Sequence, residues 1–165
     1  METNMNEKRG TFPADRPIEA LTQEHTMVRD LANAYLSSDK ADIKRELTPQ
    51  ITSLVEMHSR MEETVFYPAV RNIDSTMISH FEEEHHKVDD LLQTLKGASP
   101  DDPQCDQTMR QMLDMVLRHI QEEETQFFPK LERANLDMTD IGLQMQAFEA
   151  NLVHAAAQSS EQRAR

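Results

Sequence analysis

Cysteine, glycine, aromatic residues and positive charge are all scarce in this chain. Cys105 is the single cysteine, which excludes an intramolecular disulfide, a zinc ribbon and any Cys-rich cluster site. Three glycines, no Trp and 5% aromatics, beside plentiful Leu, Glu, Gln, Met and Ala, point away from β-strands. Lys and Arg number 17 against 30 Asp and Glu, a net charge of −13. That balance argues against a duplex nucleic-acid partner, which needs a basic footprint, and against attraction to anionic lipid. No apolar run approaches the roughly 18 residues that suggest a membrane span. The opening METNMNEKRGTFPADRP has no apolar h-region and does not read as a signal peptide. The expectation is a cytoplasmic protein with no nucleic-acid and no membrane partner. Its 165 residues suit one domain. A domain of that size buries about 70% of its unfolded surface and needs no disulfide framework.

What the chain does have is a helical apolar period. The first helix, near 17–37, repeats at Leu21, Val28, Ala32 and Tyr35. The second, near 41–71, carries Leu47, Ile51, Leu54, Met61 and Val65, with Pro49 in an early turn and Pro68 near its end. The third, near 74–96, carries Ile78, Phe81, Val88, Leu92 and Leu95, and is expected to stop at Gly97 in a left-handed cap. GASPDDPQ is a loop. The fourth helix, near 104–134, has Met109, Met112, Val116, Ile120, Phe127 and Leu131; a fifth pattern, near 138–157, has Ile141, Met145, Phe148 and Leu152. Long helices with short connections predict an all-α, antiparallel up-down-up-down four-helix bundle over 17–134. Residues 1–16 read as a flexible segment, and 135–165 as an added C-terminal helix with a frayed or disordered tail. The fifth helix would pack across an end or flank, or serve a dimer contact, so monomer and homodimer both stay open.

The chain also repeats itself once. EHTMVRDL (24–31) matches EHHKVDDL (84–91), and HSRMEETVFYP (58–68) matches HIQEEETQFFP (119–129). The offsets are 60 from His25 to His85 and 61 from His58 to His119. A helix-loop-helix unit therefore occurs twice, each copy with one His on its first helix and a His-x3-Glu pair on its second. Four residues bring His58 over Glu62, and His119 over Glu123, on one helix face. All six polar residues, His25, His58, Glu62, His85, His119 and Glu123, fall in the apolar stripes and so point into the core. One His on an apolar face is usually just a hydrogen-bonded core residue. Four in four separate stripes, with two aligned glutamates, need a compensating charge, because a buried unpaired carboxylate is costly. Imidazole and carboxylate together suit iron, manganese or zinc.

The neighbouring candidates have plainer readings. Glu63 and Glu124 also coincide in the repeat, but five residues from the His is about 140° round the helix, so they sit behind the ligands or face solvent. His80 and His86 are off the inward face. Glu122 and His154 read as surface residues, and Glu82, Glu83 and Glu84 as a solvated face. Met109, Met112 and Met115 read as flexible core filler.

A single His, then His-x3-Glu-Glu ending in an aromatic and Pro, then the same again, resembles the hemerythrin-like HHE cation-binding domain family over about 17–134. The resemblance implies an antiparallel four-helix bundle holding a non-haem di-iron centre. By it, His25 and His58 would hold one iron ion, His85 and His119 the other, and Glu62 and Glu123 would bridge them. It further implies oxygen, peroxide or nitric oxide as the small ligand. Two departures from oxygen-carrying hemerythrins stand out. Phe81 occupies the place, four before His85, of their fifth histidine, and the fourth-helix acid is Glu four residues on rather than Asp five on. Ligand positions are then left for solvent or substrate, which weighs against simple oxygen carriage. Peroxide disproportionation or nitric oxide chemistry would be the enzymatic form. Iron or redox sensing, or iron handling through a partner, is the alternative. A ferritin-like site does not match, since Glu82–His85 and Glu83–His86 share one helix, and no His-Glu-x-x-His occurs for a zinc protease.

Overall fold

A computed structural model describes residues 12–163, and among them there are helices and no strand. Helix α1 is Pro17–Leu36. Helix α2 spans 41–70 in three pieces: Ala41–Met61, a π-helical turn Glu62–Phe66, and Tyr67–Val70. Helix α3 is Ser75–Gly97. Helix α4 repeats the plan of α2 over 103–133, as Pro103–Glu122, a π-helical turn Glu123–Phe127, and Phe128–Arg133. Helix α5 is Thr139–Arg163.

Local chemistry sets the ends. Pro17 and Pro103 open α1 and α4, where a missing N–H is no loss. Asp74 and Asp102 cap α3 and α4, accepting from the backbone N–H of Met77 at 3.0 Å and of Gln104 at 2.9 Å. Gly97 is the last helical residue and not the expected left-handed cap; Ala98 follows in extended backbone at φ −95°. The left-handed residue is Asn135, φ 51°, just after α4, an Asn being one of the few side chains that tolerate that region.

Helix α1 packs on α2 and α4, and α3 packs on α4 and α2. This closes the antiparallel four-helix ring. Helix α5 lies outside it, against α1 and the π-turn half of α2. It runs on to Arg163, beyond the point where the tail was expected to fray. The segment expected to be flexible falls outside the described residues as far as 11. From Phe12 it lies on α5: Gln146 Nε2 donates to the Phe12 carbonyl at 2.9 Å. Gly142 makes that seat possible, since a Cβ there would stand 1.8 Å from the Ala14 carbonyl oxygen. No helix among the described residues is long and apolar enough to cross a membrane.

The core is in two parts. One gathers Phe66, Tyr67, Phe81, Phe127 and Phe128 with Leu21, Met61, Ile78 and Met145 beneath α5. The other is aliphatic and Met-rich, with Val28, Leu54, Leu92, Met109, Met112 and Leu113. A buried polar layer belongs to neither part.

Candidate metal centre

That layer holds the six inward-facing residues. His25, Glu62 and Glu123 are wholly buried, and His58, His85 and His119 nearly so. His25 and His58 set their Nε2 atoms 3.1 Å apart, and His85 and His119 theirs 3.0 Å apart. Glu62 Oε1 is 2.8 Å from His58 Nε2 and reaches across to within 3.6 Å of His85 Nε2. Glu123 Oε1 mirrors it, 2.8 Å from His119 Nε2 and 3.6 Å from His25 Nε2. Each carboxylate thus touches an imidazole of its own unit and one of the other.

Both glutamates open a π-turn. The N–H of Tyr67 bonds to the Glu62 carbonyl and that of Phe128 to the Glu123 carbonyl, five residues back instead of four. Prolines explain the turns. Pro68 and Pro129 follow at once, and a helical proline lacks an N–H and crowds the carbonyl four residues earlier. Widening that turn relieves the crowding. Such single turns are frequent at functional sites. The signal was in the repeat, as a proline six residues after each glutamate.

Behind every imidazole stands a second carboxylate. His58 Nδ1 is 2.5 Å from Glu24 Oε2. His25 Nδ1 is 3.2 Å from Glu124 Oε1, and His85 Nδ1 is 3.1 Å from Glu63 Oε1. His119 Nδ1 is 3.7 Å from Glu84 Oε2. The three shorter contacts fix which nitrogen of His25, His58 and His85 is free to face the centre, as in carboxylate–histidine–metal arrangements. Glu63 and Glu124 therefore back histidines of the opposite unit. Glu84 is a correction: it faces His119 and is not part of a solvated face. Periodicity does not single out Glu24, although the repeated Glu-His pair carries the signal for it. His86 is exposed, and His154 is exposed and bonded to Gln158.

The twofold relation fails at one aromatic position. Tyr67 donates its hydroxyl to Glu123 Oε2 at 3.2 Å and sits 3.4 Å from His119 Nε2. Its counterpart Phe128 has no hydroxyl and stacks on His25 with ring centroids 5.7 Å apart. The repeat sets Tyr67 opposite Phe128, but residue order alone does not say that either ring bears on the centre.

Electrostatics without a metal follow from the contacts. Burial disfavours charge on His58, but Glu62 and Glu24 outweigh it and raise its pKa well above the usual imidazole value. Burial likewise works against His119, and Glu123, Glu62 and Glu84 raise it well above that value. Burial pushes Glu62 up, and the neighbouring His58 draws it well below the usual carboxylate range, with His119 adding to it. Burial and the two glutamates hold Tyr67 protonated as a donor. Burial raises Glu124, and Arg29 and His25 more than reverse it; both Arg29 nitrogens bond its two oxygens.

The residues fit a pair of transition-metal ions. Both Glu62 oxygens and Glu123 Oε1 are buried without an aligned hydrogen-bond donor, a costly state that a cation removes. Two metal–nitrogen bonds of about 2.1 Å at right angles set their nitrogens about 3.0 Å apart, the spacing of both histidine pairs. The possible ligand atoms of His25, His58, Glu62 and Glu123 lie within 4.8 Å of one another, as do those of Glu62, His85 and His119.

Bundle and donor set together define a metal-binding helical protein. A model of the hemerythrin HHE cation binding domain family matches residues 16–131, and the chain belongs to that family. The crystal structure of a hemerythrin HHE cation binding domain-containing protein from Mycobacterium kansasii shares the fold. It aligns with a TM-score of 0.69 over 89% of this chain and 93% of that one, at 19% identity. Among curated proteins, the chain is 28% identical over 119 residues to a DNA nickase from Nostoc sp. strain PCC 7120. The match takes in 72% of this chain and 34% of the nickase, so the chain spans about a third of that relative's length.

Proposed function

We propose that the chain holds two iron ions, one on His25 and His58 and the other on His85 and His119, with Glu62 and Glu123 between them, and that the pair binds or reacts with oxygen, peroxide or nitric oxide. The observation that carries this is the set of three buried carboxylate oxygens without aligned donors, facing four imidazole Nε2 atoms. An iron pair supplies electron exchange with a diatomic or peroxide ligand. The protein supplies the rest. Glu24, Glu124 and Glu63 orient three of the rings. Tyr67 offers a protonated hydroxyl at the edge of the Glu123 carboxylate. Val28, Val55, Val88, Val116 and Ile120 form an apolar wall on the aliphatic side of the layer.

Size supports a small ligand. With His58, Ser59, His85 and His119, that wall lines a cavity of about 20 Å³, close to the volume of one water-sized molecule. Ser59, His85 and Val88 also line a surface groove of about 230 Å³ between α2 and α3. This gives the ligand a route inward past Ser59. The net charge of −13 weighs against a role on duplex DNA for this chain.

The test is metal analysis and optical spectroscopy on anaerobically purified protein, before and after oxygen, peroxide and nitric oxide. Bound iron with a spectrum that changes on exposure is expected, and the iron is lost in His58→Ala/Glu123→Ala. Full occupancy in that double variant overturns the ligand set. A second reading, sensing through a partner, is favoured by α5 packing on the π-turn that begins at Glu62. Oxidation would then change the oligomeric state or the exposure of α5.

A further inference from the structure

A second cluster of metal-ligating side chains lies outside the buried layer, on the seam of α3 and α4. His80 and Glu84 stand four apart on α3, so they share a face, and Glu122 approaches from α4. His80 Nε2 is 2.6 Å from Glu84 Oε1 and 3.2 Å from Glu122 Oε1. One ligand atom from each of the three lies within 4.8 Å of the others.

Three observations separate this cluster from an ordinary acidic surface. Glu84 Oε1 is itself buried and lacks an aligned hydrogen-bond donor, despite its closeness to His80. His119 Nδ1 is also buried without a hydrogen-bond partner, because Glu84 leans outward and leaves it 3.7 Å away. The cluster also exists in one repeat alone: Ala20 and Met61, both buried and apolar, take the places of His80 and Glu122 in the other. There Glu24, the counterpart of Glu84, keeps its close contact with His58. The outward lean of Glu84 thus accompanies the two added ligands.

We propose that His80, Glu84 and Glu122 form a peripheral site for a divalent transition-metal cation, sharing Glu84 with the buried centre. One imidazole and two carboxylates suit zinc, iron or manganese. Three protein ligands on a half-exposed seam leave further positions to water, as in open zinc sites. The cation would neutralise two carboxylates and satisfy the lone Glu84 oxygen. It would also hold that carboxylate off His119. The alternative is a protonated His80 that pairs with the two glutamates and binds no metal.

Zinc titration by calorimetry in 0.15 M salt decides between them, comparing the natural chain with His80→Ala and Glu122→Gln. Both altered side chains are partly exposed, so the bundle is left intact. One arm uses protein with its buried centre loaded with iron, the other metal-free protein. In both arms the natural chain takes up one zinc equivalent more than either variant, or binds that equivalent at least about tenfold more tightly, since losing a ligand costs no less than losing a ligand's own hydrogen-bond partner. Identical stoichiometry and affinity in chain and variants overturn the site. The metal-free arm keeps the result separate from the iron reading: if no iron is retained, the difference of one zinc still stands or falls.

Discussion

In the first helix pair, Glu24 stands 2.5 Å from the Nδ1 of His58; in the second, Glu84 stands 3.7 Å from the Nδ1 of His119. In the first pair Tyr67 reaches the centre with a hydroxyl, and in the second Phe128 reaches it with a bare ring. The donors duplicate faithfully while their surroundings diverge. Glu123 gains a donor for one oxygen from Tyr67, whereas neither oxygen of Glu62 has one. A twofold scaffold therefore presents two unequal His/Glu clusters. The inequality comes from a few side chains next to them.

The largest effect should come from what the two pairs share. His58 and His119 both have raised pKa values when no metal is bound. A raised imidazole stabilises the fold fully below its ordinary value of 6.5, and the contribution is lost as pH rises through the higher folded value. Glu62 is lowered, so its contribution is present above 4.5 and lost as pH falls through its lower folded value. Metal-free protein should therefore melt highest between about pH 4.5 and 6.5 and progressively lower in alkali. Metal loading should release protons and tighten with pH, because the ligands must be deprotonated. Thermal melts of stripped protein across pH check the first point, and a flat profile removes the imidazolium–carboxylate account.

The next effect separates the pairs. Glu24→Ala should weaken metal binding by about 10–100-fold, the usual cost of losing a ligand's hydrogen-bond partner. Glu84→Ala should weaken the buried centre less, its contact with His119 being longer. Competition with a chelator measures both, and equal losses would erase the distinction.

The aromatic swap is smaller. Tyr67→Phe should destabilise the metal-free protein by about 2 kcal/mol, the scale of a hydrogen bond to a charged group. Phe128→Tyr should act in the opposite sense, by about 1 kcal/mol, by giving Glu62 a donor. Denaturant melts of the two single variants test the signs. Of similar size is Gly142→Ala, which should unseat residues 12–16 from α5 at a cost of about 1–3 kcal/mol. Faster proteolysis near Phe12 would report it.

Much of this was legible from residue order. The apolar stripes placed the first four helices to within a residue but ended the fifth six residues early, and the repeat picked out the six polar residues that the bundle brings together. Glu84 was misjudged because it lies one residue from His85, roughly 100° round an ideal helix. Periodicity assigns such a position to solvent, yet in a bundle the flank of one helix faces the flank of the next. The π-turns were hidden for a related reason. Pro68 and Pro129 looked like helix endings, and only the continuing helix beyond them shows that the turn widened instead.

Residue order alone carried the helical class, the duplication and the burial of four imidazoles with two carboxylates, because each of these is a matter of spacing along one helix. It could not say which carboxylate backs which ring, which aromatic bears on the centre, or that His80 and Glu122 meet. Those contacts join residues 22 to 103 apart in the chain, on different helices. They depend on how far each helix is rotated about its axis when it packs, an angle that the packed core sets.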